Sequence, residues 1–255
     1  MISDSHIHIG QFHETYYEPL EVLWSVLEQG VTNCVYSSTT TGEANVKYSK
    51  IEKEISIATK IFPESKFKPY LWYMPAYIKN GITAKNAFEN LPYKGIKLHP
   101  RLNRWDFSDK SHAKALRSLF GYATGNKTPV LIHTGPDPFE KPELFESFFM
   151  EYPQVKFTLA HCRPVYESIA MFSLYKNVYG DTAFLSEEDL RKIVKAGFGK
   201  RIILGSDFPI THYFAVKYRK AKGKWTLRMQ YKRDVENLMK WLQIINLKPR
   251  KAENR

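Results

Sequence analysis

Short runs rich in β-branched and aromatic residues alternate along this chain with longer segments whose apolar residues recur every three to four positions. The runs at 2–8, 31–37, 67–74, 95–99, 129–133, 155–161, 177–181 and 201–206 read as strands. The segments at 18–29, 43–61, 110–123, 142–151, 165–175, 186–195 and 234–245 read as helices. Local signals support several of them. Pro19 stands near a first turn, where a missing N–H costs little. Val46, Ile51, Ile55 and Ala58 recur at helical spacing. Ser186-Glu187-Glu188-Asp189 places an N-cap before acidic residues in the first turn.

Strand then helix, repeated over eight strands, predicts a parallel sheet with helices outside it. A chain of 255 residues suits closure of eight such units into a single (β/α)8 barrel, which takes about 250 residues. The rival, an open doubly wound sheet, calls for Gly-x-Gly-x-x-Gly after the first strand, and the chain has none. No linker, low-complexity tract or internal repeat divides the sequence, so residues 1–255 read as one domain. Residues 211–231 follow the eighth strand and fit no unit. They are expected to form a lid or an extra helix over the barrel mouth.

Composition narrows the class. An apolar fraction of 43% supports a substantial core and excludes a disordered chain. The two cysteines, Cys34 and Cys162, have no paired spacing, so neither a disulfide framework nor a Cys-based zinc site is indicated. The start lacks a basic and apolar leader, and no apolar stretch approaches the roughly 18 residues of a membrane span. The expected compartment is the cytoplasm. Of the net charge of +12, most lies after residue 212, where 13 Lys+Arg stand against 3 Asp+Glu. A basic C-terminal segment at 213–255 attracts anionic partners. The plainer reading, a solvated helix face with a frayed tail, is favoured.

Chemistry enters at the strand ends. His6-Ile7-His8 lies on the first strand, where side chains two apart share a face, so two imidazoles aim at one point. His133 and His161 each close an apolar run, His99 closes the fourth strand, and Asp207 follows the eighth. Catalytic groups of such barrels sit at the C-terminal strand ends. Taken singly, each histidine is more often a satisfied core or mouth residue than a ligand, and Asp207 reads equally as a turn residue. Their gathering at one end of the strands is what points to a metal site. Lys97 shares a strand face with His99, while Arg101 and Arg163 lie just past strand ends, where each is placed to grip an anion but reads at least as well as a surface arginine. His13, His112 and His212 lack such context. Trp72, Tyr73, Tyr77, Trp105 and Phe208 are candidates to line the pocket or to pack the barrel edge.

Five motifs in this order, His6-x-His8, Gly95-Ile-Lys-Leu-His-Pro100, Leu131-Ile-His-Thr-Gly135, Leu159-Ala-His-Cys162 and Gly205-Ser-Asp-Phe-Pro209, resemble the amidohydrolase superfamily of TIM-barrel hydrolases, and most of all its decarboxylase-like, amidohydrolase-related branch. The likeness runs from about residue 2 to 210. It implies that His6, His8, His133 and Asp207 bind a metal. It also implies that Asp207 shuttles the proton and that His161 orients water or polarises a carbonyl. Imidazole and carboxylate ligands suit Zn²⁺ first, with Mn²⁺, Fe²⁺ or Co²⁺ as candidates. One ion is expected rather than two. In related branches the lysine equivalent to Lys97 is carboxylated and bridges two metals. In the branch this chain resembles, a basic residue there binds a substrate carboxylate. An ion pair remains a third role for Lys97.

The function expected is hydrolysis of a small lactone, amide or ester, carboxylate-bearing and anionic, by metal-activated water. Decarboxylation or hydration within the same superfamily is the nearest rival. A TatD-type DNase is disfavoured, because those nucleases carry a glutamate ligand on the fourth strand where this chain has Gly95-Ile96-Lys97. A barrel that binds metal without turnover is a further alternative. A homo-oligomer is left open.

Overall fold

The computed structural model describes residues 2–42, 47–219 and 225–246. Among the described residues, nine strands form one curled sheet in the order β2-β1-β3-β4-β5-β6-β7-β8-β9. They are β1 (Ser3–Phe12), β2 (Thr15–Tyr17), β3 (Asn33–Ser38), β4 (Phe67–Trp72), β5 (Gly95–Leu98), β6 (Val130–His133), β7 (Phe157–Ala160), β8 (Val178–Asp181) and β9 (Ile202–Ile203). All eight expected strands are present. The addition is β2, which pairs antiparallel with the end of β1. Every other pairing is parallel.

The sheet closes on itself through the segment after β9. Ser5 N–H donates to the Leu204 carbonyl at 2.8 Å, Asp207 N–H to His6 at 2.8 Å, and His8 N–H to Phe208 at 2.7 Å. Ile7 and Phe208 form a parallel bridge. The expected eighth strand is thus only two residues long as a ladder, yet its continuation carries the register that joins first strand to last. The structure is a TIM-type barrel.

Helices cover the outside and bury one stripe each. Val22 and Val26 on Pro19–Glu28, Ile51, Ile55 and Ala58 on Tyr48–Ile61, and Leu116, Phe120 and Ala123 on Lys110–Asn126 enter the core. They pack against outward residues of the strands, among them Ile7, Ile96, Leu98, Ile132 and Leu159. The expected helix at 142–151 is a 3₁₀ turn, Pro142–Phe145, leading into Glu146–Glu151. Residues 43–46 of another expected helix lie outside the described residues. Among the described residues, two short helices had no clear periodicity and were not expected: Pro75–Lys79 and Ala84–Asn90. A further helix, Ile210–Arg219, falls where residues 211–231 were expected to form a lid or an extra helix.

The last helix runs from Leu227 to Ile245, longer than its apolar pattern predicts, because Thr226 caps its start by accepting from Met229 N–H. Arg228 pairs with Glu28 at 2.6 Å and Lys240 with Glu187 at 2.5 Å. Part of the basic character of this segment is therefore matched by acids on neighbouring barrel helices. Residues 220–224 and 247–255, which carry much of the rest, lie outside the described residues. Among the described residues no helix is long and apolar enough to cross a membrane.

Gly10 lets β1 continue past the histidines. Its φ is +87°, and a Cβ there would stand 2.4 Å from Thr40 Oγ1 and 2.8 Å from Glu54 Oε2. Both atoms belong to a buried network in which Ser38 and Thr40 hydroxyls donate to Glu54. Gly10→Ala is expected to cost about 2 kcal/mol or more through strain and displacement of that network. Thermal unfolding should show a fall of roughly 5 °C; an unchanged midpoint would mean the backbone there is not held.

Candidate metal and active site

The closure of the barrel assembles the site. His6 and His8 point inward from β1, and the main-chain bonds from Asp207 and His8 to the facing segment set Asp207 beside them. His6 Nε2 lies 3.2 Å from His8 Nε2 and 3.4 Å from Asp207 Oδ1; His8 Nε2 lies 2.8 Å from the same oxygen. All three side chains are buried. Asp207 sits at φ +63° and His161 at φ +72°, a conformation uncommon for residues with a Cβ. Strain of that kind concentrates at functional positions.

Hydrogen bonding decides where the protons are. A carboxylate and a carbonyl can only accept. His6 Nδ1 faces Asp181 Oδ2 at 2.8 Å, so Nδ1 carries the proton and Nε2 is a lone pair. His8 Nδ1 faces the Ser37 carbonyl at 3.4 Å and its hydroxyl at 3.1 Å, which leaves Nε2 as the lone pair again. Asp207 Oδ1 is buried and has no hydrogen-bond donor. Burial holds His6 well below the usual histidine range, with the Lys97 ammonium adding to the effect. Burial opposes ionisation of Asp207, and attraction to the nearby Lys97 ammonium favours it. Three acceptor atoms, none carrying a proton itself, therefore crowd within 3.4 Å of one another, and the Lys97 ammonium reaches His6 Nε2 at 3.1 Å. Ligands of one Zn²⁺, bonded at about 2.0–2.2 Å, stand roughly 3–3.5 Å apart. The trio fits a cation in both spacing and chemistry.

A second pair lies nearby. His161 donates Nδ1–H to the Ala183 carbonyl at 3.0 Å, and His133 Nε2 faces Glu140 Oε1 at 3.3 Å. Their remaining nitrogens, His161 Nε2 and His133 Nδ1, face each other at 3.1 Å. Burial lowers both histidines, so both are neutral. Lys97 is buried, and its Nζ stands 3.1 Å from His6 Nε2. Burial brings its pKa down to about 8, against the opposing pull of Asp207 and Asp181.

A cavity of about 310 Å³ opens over these groups, lined by His8, Lys97, His99, His133, His161, Arg163 and Asp207 on its polar side. Trp72, Phe184 and Phe214 line its apolar side. His99 stacks on His133 with centroids 3.7 Å apart and on Trp72 at 5.9 Å. The Leu102 N–H donates to His99 Nδ1 at 3.3 Å, which leaves Nε2–H to donate. Arg163 Nε is buried without a partner.

The structure thus gathers His8, Lys97, His99, His133, His161, Arg163 and Asp207 around one cavity, with His6 beside His8 and Asp207. His133 stands in the second pair and not within the tight trio. Arg101 does not join: it is exposed and pairs with Asp137 at 3.3 Å. Of the aromatic candidates, Trp72 lines the cavity, while Tyr73, Tyr77, Trp105 and Phe208 are core residues. His212 faces Tyr17 and the Trp225 carbonyl, away from the cavity lining. Sequence reasoning missed Asp181, although it closes a strand just as the chosen residues do. It also missed Glu140, Phe184 and Phe214, which come from loops and from a helix without a distinct pattern.

The sequence model of the amidohydrolase family matches residues 83–235, more than half of the chain. The chain belongs to the amidohydrolase family. This amidohydrolase is similar in fold to a probable 2-pyrone-4,6-dicarboxylic acid hydrolase from Acinetobacter baumannii with citric acid bound (TM-score 0.62, 14% identity, covering 96% of each chain). It is also similar to an amidohydrolase 2 from Bifidobacterium longum subsp. infantis (TM-score 0.54, 14% identity, 97% of this chain and 99% of that one). A third likeness is to IDCase from Metarhizium anisopliae in apo form (TM-score 0.53, 11% identity, 96% and 98%). Among curated proteins no match was found. The protein is an enzyme of a superfamily that is generally metal-dependent, and its His and Asp clusters are candidate metal sites.

Proposed function

We propose that this amidohydrolase is a metal-dependent hydrolase of a small, carboxylate-bearing lactone, amide or ester. The observation that carries the reading is the buried, donor-free Asp207 Oδ1 within 3.4 Å of two imidazole lone pairs. His6, His8 and Asp207 would hold a divalent ion, with Zn²⁺ first by ligand chemistry, and His133 Nδ1 is the nitrogen offered as the further ligand. When bound, such an ion supplies Lewis acidity to a carbonyl and lowers the pKa of water. Asp207 accepts a proton and returns it to the leaving group. His161 Nε2, unprotonated, accepts a hydrogen bond from water or substrate. Arg163 and the His99 Nε2–H supply donors for a carboxylate, and Lys97 adds positive charge at the cavity floor. Citric acid bound to the A. baumannii relative agrees with an anionic ligand.

A second reading has two ions, because the acceptors fall into the trio and the His133–His161 pair; Lys97 would then be the bridging residue, carboxylated. Decarboxylation of the same class of substrate needs the same residues. Elemental analysis of the purified protein tests the metal. About one zinc-group ion per chain is expected, and His8→Ala should reduce it to less than about a tenth. Full occupancy in that variant would remove the ligand assignment. A screen of lactones, esters and amides, with carboxylated aromatic acids for loss of CO₂, tests the reaction.

A further inference from the structure

Asp181 closes β8, is fully buried and has no place in the proposed ligand set. Three donors converge on its carboxylate. Oδ2 accepts His6 Nδ1–H at 2.8 Å, and Oδ1 accepts the backbone N–H groups of His161 at 2.8 Å and Ala183 at 3.0 Å. The Ala183 carbonyl in turn accepts His161 Nδ1–H at 3.0 Å. The acceptors that fix His6 and His161 thus belong to one three-residue segment, and a single carboxylate ties that segment to both histidines. His6, His161 and Asp181 lie close enough to be considered a cation site themselves. Both Nδ1 atoms, however, carry the protons of these bonds, so neither Nδ1 has a lone pair for a cation.

We propose that Asp181 is a positioning residue that sets the tautomers of His6 and His161 together and keeps both Nε2 lone pairs directed inward. The inference rests on the metal-site reading only for its affinity readout. Backbone strain at His161, φ +72°, is held by the same carboxylate through the His161 N–H. An Asn at this position has one oxygen for three donors. If that oxygen keeps the two backbone N–H groups, the amide NH₂ faces His6 Nδ1. His6 must then move its proton to Nε2, the atom that faces His8 and Asp207.

The test uses the full chain, Zn²⁺ alone as probe and ¹⁵N-histidine labelling. In the metal-free wild type, long-range ¹H–¹⁵N correlations should show His6 and His161 protonated on Nδ1. Asp181→Asn should show His6 protonated on Nε2 and should bind Zn²⁺ ten- to a hundredfold more weakly in competition with a chelating dye. The proposal is overturned if wild-type His6 carries its proton on Nε2, or if Asp181→Asn keeps both the Nδ1 proton and wild-type zinc affinity. Should the variant not fold, the wild-type spectrum decides alone. A wild type that binds no zinc but shows Nδ1 protonation would remove the metal reading and support this one.

Discussion

Asp207→Asn is expected to lower turnover by about 10²–10⁴-fold, the usual contribution of a positioned proton acceptor, on whichever substrate the screen identifies. Asn is nearly the same size, so the cavity should keep its shape. What changes is charge and lone pairs. The wild-type carboxylate is buried near the Lys97 ammonium, and its Oδ1 has no donor. An amide can turn its NH₂ toward His8 Nε2, 2.8 Å away in the wild type, and so put a donor where the wild type presents an acceptor. Zinc affinity should fall together with turnover. Steady-state kinetics and metal titration check both, and a variant within a few-fold of wild type in each would mean that Asp207 neither binds nor shuttles.

Asp234→Asn is expected to stabilise the protein at pH 8, with the largest effect of any single change considered. Asp234 is buried on the last helix, and burial raises its pKa to about 7, against hydrogen bonds from Thr211 and Gln230 that pull it down. In the unfolded chain it ionises near its ordinary value of 3.8. Between those values the folded state holds the proton and the unfolded state does not. Stability therefore falls as pH rises from about 4 to about 7, and the full cost of a buried charge is present above that window. A difference of that size corresponds to up to about 4 kcal/mol. Asn removes the charge and can still satisfy its neighbours: its oxygen accepts from Gln230 and its NH₂ donates to the Thr211 hydroxyl. Urea unfolding at pH 5 and pH 8 checks the sign. The variant should gain more at pH 8 than at pH 5, and a variant less stable than wild type at pH 8 would show that the ionised carboxylate is well solvated in place.

The two residues differ in how visible they were beforehand. Asp207 follows an apolar run and lies in a motif, so its position at a strand end was legible from local pattern. Asp234 reads as an ordinary charged residue of an amphipathic helix. Nothing nearby in sequence reveals that Thr211, 23 positions earlier, donates to it at 2.7 Å. Asp181 is an intermediate case: its strand end was legible, but its partners His6 and His161 are 175 and 20 residues away. Arg101 was open between an anion grip and a surface arginine, and its side chain is exposed and pairs with Asp137. Short loops past strand ends have no periodicity to constrain direction.

Alternation of apolar runs and amphipathic segments is a local property, and it alone determined the eight parallel strands, the helices outside them and the set of histidines at one rim. Closure did not follow from it. Main-chain bonds between β1 and the segment after β9 join residues some two hundred positions apart, and only that register brings Asp207 to His6 and His8. The protonation of the site was decided at the same level, because His6 takes its tautomer from Asp181 on β8 and His8 from Ser37 on β3.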